Sequence, residues 1–129
     1  MKALLTAALL ALPPLVAHAE APMSPILRIF EFTVAPEDVA TFMAAGEDNI
    51  RNSVRDEPGV LSMYVASDKD DPTRLYVIET YRDQAAYESH RETPHFQAFI
   101  AAMDGKFLSR RVIETNPTIL GAKAFTWEE

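Results

Sequence analysis

The order in which the hydrophobic periodicity changes along the chain is the feature that most constrains its fold. Residues Ile26–Val34 alternate with a period of two and carry apolar side chains on both faces, which is typical of a strand covered at least partly on both sides. From Pro36 the apolar residues recur at helical spacing until the Pro58-Gly59 turn. The pattern therefore predicts a strand followed by a helix of about five turns.

A hairpin and a short helix are predicted next. The segments 60–66 and Arg74–Tyr81 have strand-like composition, and the polar segment 67–73 between them is dense in turn formers. Asp83 can then cap a helix over residues 84–92, because an aspartate side chain accepts hydrogen bonds from the free amides of a first helical turn.

A second short helix and one more strand complete the predicted order. Thr93 can cap a helix that Pro94 opens, since proline is well tolerated at a first helical position. After Gly105, both Phe107–Thr115 and 118–125 have strand-like composition. The pattern does not decide which of the two pairs with the sheet.

The order strand, helix, strand, strand, helix, strand predicts an α+β fold of the ferredoxin-like type, a split β-α-β arrangement with an antiparallel sheet. Helices cover only one face of such a sheet. Because the strands are apolar on both sides, the other face would expose a large apolar patch in a monomer. We therefore expect a symmetric homodimer packed through the open sheet faces, and the alternative is a monomer whose C-terminal segment folds back over the sheet.

The first nineteen residues have the pattern of an export signal. Lys2 precedes an apolar stretch that ends at Ala19 in a small-x-small cleavage pattern. The alternative is an uncleaved anchor, but the apolar run is shorter than the roughly 20 residues that span a bilayer. The predicted organisation is a signal peptide at 1–19, a leader at 20–25 and one domain at 26–129. The expected location is the periplasm or the exterior, without a stable membrane anchor.

Charge and cysteine content exclude several classes of function. The chain carries a formal net charge of −7, which disfavours nucleic acid as a partner because such binding needs clustered Lys and Arg to neutralise phosphates. The chain contains no cysteine. Disulfides, lipid attachment through cysteine and a thiolate nucleophile are therefore ruled out.

Three segments stand out in the sequence, namely RDEPGVL at 55–61, DPTR at 71–74 and HRETPHF at 90–96. Together they resemble the antibiotic biosynthesis monooxygenase domain family, which includes small quinol and anthrone monooxygenases. The resemblance implies a dimeric ferredoxin-like fold, a dimeric α/β-barrel. It also implies an enzyme that oxidises a quinol-like or polyketide-like aromatic with O₂ and uses no cofactor. The alternative is a non-catalytic dimeric protein that binds a small hydrophobic ligand.

His90 and His95 are the histidines of the resembling segment. They are five residues apart with Pro94 between them, so they do not share the i, i+4 helix face of a two-histidine metal site. A metal would need further ligands such as Glu79 or Glu31, and we predict none. Neutral imidazole can remove a proton from a phenol or enol, so His90 is the candidate catalytic base and His95 a candidate substrate-binding residue. The alternative for His90 is a packing role with a hydrogen bond to a backbone carbonyl.

Four more residues are candidates for substrate binding. Strand alternation puts Tyr76 and Glu79 on opposite faces of one strand, and Glu79 is acidic on an otherwise apolar face. Glu79 should therefore either pair with a cation such as Arg28 or line a wet pocket, and the ion pair is the favoured interpretation. Tyr64 and Tyr76 could donate hydrogen bonds to a substrate oxygen or pack as interface aromatics. Asn49 could reach the pocket mouth or be a solvated surface residue.

Overall fold

A computed structural model describes residues 23–123. A 3₁₀ turn at Pro36–Asp38 leads into the first helix. The elements in chain order are β1 (Ile26–Val34), α1 (Val39–Asp56), β2 (Val60–Ser67), β3 (Arg74–Tyr81), α2 (Gln84–Arg91), α3 (Pro94–Ala102) and β4 (Phe107–Thr115). The predicted signal peptide at 1–19 and the first part of the leader lie outside the described residues.

The four strands form one antiparallel sheet in the order β2-β3-β1-β4. This order and the helices between the strands confirm the ferredoxin-like α+β fold. The final strand is Phe107–Thr115, which pairs along β1 with Phe30 opposite Val112. Residues 116–123 form no strand, so the earlier of the two candidate segments completes the sheet.

Both predicted caps of the short helices are confirmed. The Asp83 side chain accepts a hydrogen bond of 2.8 Å from the Ala86 amide at the start of α2. The Thr93 hydroxyl accepts one of 3.3 Å from the Phe96 amide at the start of α3, which Pro94 opens. Because only two residues separate α2 from α3, the last turn of one helix and the first turn of the next lie side by side.

The core lies between the sheet and the helices. Phe42 of α1 is fully buried and meets the ring of Phe99 edge-on at 5.5 Å, and Phe32 stacks on Phe107 with ring centroids 4.6 Å apart. Gly59 allows α2 to pack tightly at one end, since a Cβ there would lie only 2.4 Å from the Cβ of Ala86. This packing fixes α2 against the turn that follows α1.

The two faces of the sheet differ as strand alternation predicts. On β3, Leu75, Val77 and Glu79 are buried against the helices, whereas Tyr76 and Ile78 lie half-buried on the open face. None of the described helices is long and apolar enough to cross a membrane.

Candidate functional site

A cavity of about 540 Å³ lies between the helix-facing side of the sheet and the helices. Most of its wall is aromatic or aliphatic, including Phe30, Phe32, Phe42, Phe96, Phe99 and Met103. Its charged and amide-bearing lining residues are Asn49, Glu79, Arg91, Gln97, Asp104 and Arg110. A cavity of this size and composition suits a small, mainly apolar molecule oriented by a few polar groups.

Glu79 is a buried carboxyl group in the wall of this cavity. It is 7% exposed, and the hydroxyl of Tyr81 donates a hydrogen bond of 2.8 Å to its Oε2. Burial raises the pKa of Glu79 to about 7, against the opposing effects of the Tyr81 hydrogen bond and the charge of Arg28. At neutral pH the group is therefore present both as an acid and as a carboxylate, which is the condition a general base needs.

The structure differs here from the favoured sequence interpretation, an ion pair of Glu79 with a cation such as Arg28. Within residues 23–123 Glu79 forms no salt bridge. Arg28 instead pairs with Glu114 on the neighbouring strand β4, with Nη2 3.1 Å from Oε1. Tyr81 supplies the hydrogen bond in its place. Burial and the adjacent carboxylate raise the pKa of Tyr81, so its hydroxyl remains a neutral donor.

Asn49 also lines the cavity, and it is buried rather than solvated. Helical spacing puts it on the inner face of α1 with Phe42, Gly46 and Ser53, and it is 7% exposed. Its Oδ1 is buried and has no hydrogen-bond partner in the described part of the chain. An unsatisfied buried acceptor is costly, so a ligand that donates a hydrogen bond here would gain affinity.

A second polar cluster joins Glu57, His90 and His95. Glu57 directly follows α1, His90 lies in the last turn of α2 and His95 in the first turn of α3. Oε1 of Glu57 lies 2.9 Å from Nδ1 of His90 and 2.6 Å from Nε2 of His95. One carboxylate oxygen therefore holds both helix ends against the end of α1.

The protonation of this cluster follows from burial and hydrogen bonding. Burial lowers the pKa of His90, although its hydrogen bond to Glu57 opposes the shift. Burial acts to raise the pKa of Glu57, but hydrogen bonds from His90 and His95 outweigh it, and the pKa falls below its usual value. The lowered pKa values of His90 and Glu57 both favour a neutral His90 that donates its Nδ1–H to an ionised Glu57. The lone pair then sits on Nε2, a buried atom without a hydrogen-bond partner in residues 23–123.

His90 lies behind the cavity wall and does not line it. Its ring is fully buried and packs edge-on against Phe96, a lining residue, with centroids 4.9 Å apart. His90 also contacts the ring of Tyr81, whose hydroxyl binds Glu79. The structure thus gives His90 a carboxylate partner instead of the backbone carbonyl of the packing alternative. Glu79, unlike His90, lines the cavity.

His95 is likewise bound to Glu57 and absent from the cavity wall. The ligand atoms of Glu57, His90 and His95 lie within 4.8 Å of one another, a donor set of the kind that zinc and iron accept. The acidic member of this set is Glu57, and not Glu79 or Glu31 as the sequence suggested. The hydrogen bonds of His90 and His95 to Glu57 account for these short distances. The expectation that no metal binds here stays a prediction.

Tyr64 and Tyr76 lie on the open face of the sheet, away from the cavity. Tyr64 is 37% exposed, and the Tyr76 hydroxyl lies 3.4 Å from Oδ2 of Asp68 in the hairpin loop. Alternation along β2 and β3 directs these even-numbered positions away from the helices, so neither lines the cavity. Their predicted contact with a substrate would require binding at the open face.

Two kinds of residue at this site were not predicted from the sequence. Glu57 belongs to the RDEPGVL segment, but nothing local indicates that it binds histidines 33 and 38 residues later. Arg91 and Arg110, which line the cavity, look like ordinary surface cations in the sequence. Helical and strand periodicity could have placed each of them on an inward face, but not at a shared cavity.

Comparisons with known proteins agree with the segments noted in the sequence. The antibiotic biosynthesis monooxygenase family matches residues 25–102. Isomerases of (4S)-4-hydroxy-5-phosphonooxypentane-2,3-dione are similar. The one from Yersinia enterocolitica is 34% identical over 61% of this chain and 81% of its own length, and the one from Klebsiella pneumoniae is 32% identical over 60% and 79%.

A solved structure shows the same fold. A candidate antibiotic biosynthesis monooxygenase from Bacteroides thetaiotaomicron superposes with a TM-score of 0.74 and 31% sequence identity, over 79% of this chain and 97% of that one. The family match covers all of the sheet except its last strand, together with the three helices that enclose the cavity. The chain belongs to the antibiotic biosynthesis monooxygenase family.

Proposed function

We propose that the protein is a cofactor-independent monooxygenase that removes a proton from a quinol-like or polyketide-like aromatic and passes the resulting anion to O₂. The observation that carries this proposal is Glu79, a carboxyl group with a pKa of about 7 in the wall of a largely apolar cavity. A protein that only binds a hydrophobic ligand would gain nothing from such a group, because burying a carboxyl group costs stability.

The proposed reaction balances without an added reductant. Glu79 takes a proton from an acidic carbon or hydroxyl of the substrate, and the electron-rich anion reduces O₂ and bonds to it. The peroxide formed then loses water. For an anthrone, one oxygen atom ends in the new carbonyl and the other in water, so the substrate supplies all the electrons.

The named residues have separate tasks in this scheme. The Tyr81 hydroxyl holds Oε2 of Glu79, which leaves Oε1 to accept the substrate proton. Oδ1 of Asn49, which has no hydrogen-bond partner among residues 23–123, accepts a hydrogen bond from a substrate hydroxyl. His90 has a positioning role and is not the base expected from the sequence, since it packs behind Phe96 and Tyr81.

Isomerisation of a hydroxydiketone is the second candidate, favoured by the names of the similar isomerases. It begins in the same way, since removal of a proton beside a carbonyl gives an enolate, and return of the proton at another position gives the isomer. The same Glu79 serves both reactions. The two reactions differ in whether the anion reacts with O₂ or takes up a proton.

Two expectations from the sequence accompany the proposal. We infer a homodimer formed through the open sheet faces, supported by the apolar residues that β1 and β3 place there. The export pattern at 1–19 supports a periplasmic or secreted location. In either location the substrate must arrive already reduced, because nicotinamide cofactors are confined to the cytoplasm.

Oxygen uptake tests the proposal. The purified mature protein is treated with a chelator and given reduced naphthoquinols and anthrones, with a protein-free control for autoxidation. We expect protein-dependent uptake that Glu79→Gln abolishes and Glu88→Gln, a change at an exposed helix position, leaves intact. Deuterium incorporation beside the carbonyl of a hydroxydiketone, without O₂ uptake, would favour isomerisation. If neither oxygen uptake nor deuterium exchange exceeds the control, ligand binding remains as the function.

A further inference from the structure

A second, more open groove of about 490 Å³ adjoins the cavity and is basic. The groove and the cavity share four lining residues, Phe30, Tyr87, Arg91 and Arg110. Arg28 completes a set of three arginines among the described lining residues, of which Glu114 is the only acidic one. This local excess of positive charge contrasts with the formal charge of −7 of the whole chain.

Arg28 is held rigidly at this groove. Its side chain is 13% exposed, and its guanidinium lies 3.7 Å from the centroid of the Tyr87 ring. Nη2 lies 3.1 Å from Glu114 and 3.4 Å from Oε1 of Gln84. A guanidinium fixed by a ring and two acceptors presents its remaining N–H groups in a defined direction.

One of those groups, Nη1 of Arg28, is buried and makes no hydrogen bond to any described residue. An unsatisfied charged donor is more costly than a neutral one, so the position is one where a negatively charged acceptor would be strongly favoured.

Arg91 and Arg110 face the same groove from two other elements. Arg91, at the end of α2, lies 5.8 Å from the Tyr87 ring, and Arg110 on β4 lies 5.7 Å from the Phe30 ring. Both also line the cavity that contains Glu79. A molecule in the cavity can therefore extend a substituent to all three arginines without leaving its site.

We propose that this groove is an anion subsite and that the substrate of the cavity carries a carboxylate or a phosphate monoester. Arg28 supplies the fixed donor, and Arg91 and Arg110 supply mobile charge. The inference rests on the proposed function in taking the cavity as the substrate site. It adds that the substrate is an anion, with its apolar part in the cavity beside Glu79.

Binding of matched naphthalene ligands tests this without any turnover. Calorimetry at low ionic strength compares naphthalene-2-carboxylate, its neutral carboxamide and 2-naphthyl phosphate. We expect the carboxylate or the phosphate to bind at least about tenfold more tightly than the carboxamide, as charge-assisted hydrogen bonds predict. The tighter of the two anions identifies which group the subsite prefers.

Variants assign the preference to the groove. Arg110→Gln and Arg28→Gln should each reduce the anion preference severalfold and leave carboxamide binding unchanged. Arg51→Gln, on α1 outside both the groove and the cavity, is the matched control and should keep the preference. Arg110 is exposed, so its variant tests the proposal even if the loss of Arg28 impairs folding.

Equal affinity for carboxylate and carboxamide in the wild-type protein would overturn the proposal. A preference that persists undiminished in Arg110→Gln and Arg28→Gln would overturn it as well. Glu79→Gln should keep an anion preference at least as large as that of the wild-type protein, because the substitution removes a negative charge from the cavity wall. Failure of the oxygenase proposal is thereby distinguished from failure of the subsite.

Discussion

Glu79 acquires its raised pKa from its position on β3, because an odd-numbered residue of that strand faces the helices. The sequence predicts this orientation from alternation alone. It does not predict that Arg28 pairs with Glu114, so that within residues 23–123 the hydrogen-bond donor to Glu79 is the neutral hydroxyl of Tyr81. Because the expected ion pair with Arg28 does not form, burial has the largest effect on the pKa of Glu79 and raises it to about 7.

The first prediction concerns the pH dependence of activity. Glu79 acts as a base only when ionised, so kcat/KM should rise with pH through a midpoint near 7 and then level off. Glu79→Gln should lower kcat/KM by about 100-fold or more, and the midpoint should disappear from any residual activity. Stopped-flow oxygen measurements across pH provide the test. An unchanged midpoint in the variant would show that another group titrates.

The second prediction concerns stability at the same residue. The folded-state pKa lies above the unfolded value of 4.5, so the contribution of Glu79 is complete below pH 4.5 and is lost as pH rises through about 7. The loss amounts to about 3 kcal/mol. Urea unfolding at several pH values should show this decline in the wild type and a smaller decline in Glu79→Gln. Parallel curves for the two proteins would contradict it.

Glu57 works at the scale of secondary-structure elements. Its carboxylate binds His90 and His95 and so fixes the ends of α2 and α3 against the turn after α1. His90 in turn supports the rings of Tyr81 and Phe96 at the cavity wall. Local signals place each helix correctly, but only the packed structure shows that one carboxylate joins all three.

The third prediction follows from this junction. Glu57→Gln keeps the shape of the side chain but removes the charge, and an amide cannot accept from both histidines as strongly. The free energy of unfolding should fall by about 1–3 kcal/mol, measured in urea. Asp56→Asn, one residue earlier and exposed, should change it little. If Glu57→Gln changed the free energy of unfolding as little as Asp56→Asn, the junction would contribute nothing to stability.

The open face of the sheet determines behaviour at the scale of the whole molecule. Leu27, Ile29 and Ile78 lie on this face, and the helices all pack on the other side. A surface of this kind is usually covered in soluble proteins, and twofold symmetry is the commonest way to cover it. Residues 116–123 form no strand along it.

The fourth prediction is therefore a dimer that depends on this face. Sedimentation equilibrium of the mature protein should give twice the chain mass. Ile78→Glu, which puts a charge in the centre of the face, should give a monomer, since an unpaired charge is costly at a buried interface. Val54→Glu on α1, already 48% exposed, is the control and should stay dimeric. A monomeric wild-type protein would support the alternative in which the chain covers its own sheet.

The sequence by itself determined the order of the elements, the helix caps and the facing of β3. These depend on periodicity and on side chains within a few residues of each other, such as Asp83 and Ala86. The tertiary structure alone decided that Glu57 binds both histidines and that three arginines share one groove. Those contacts join residues far apart in the chain, so they arise from packing and leave no local signal in the sequence.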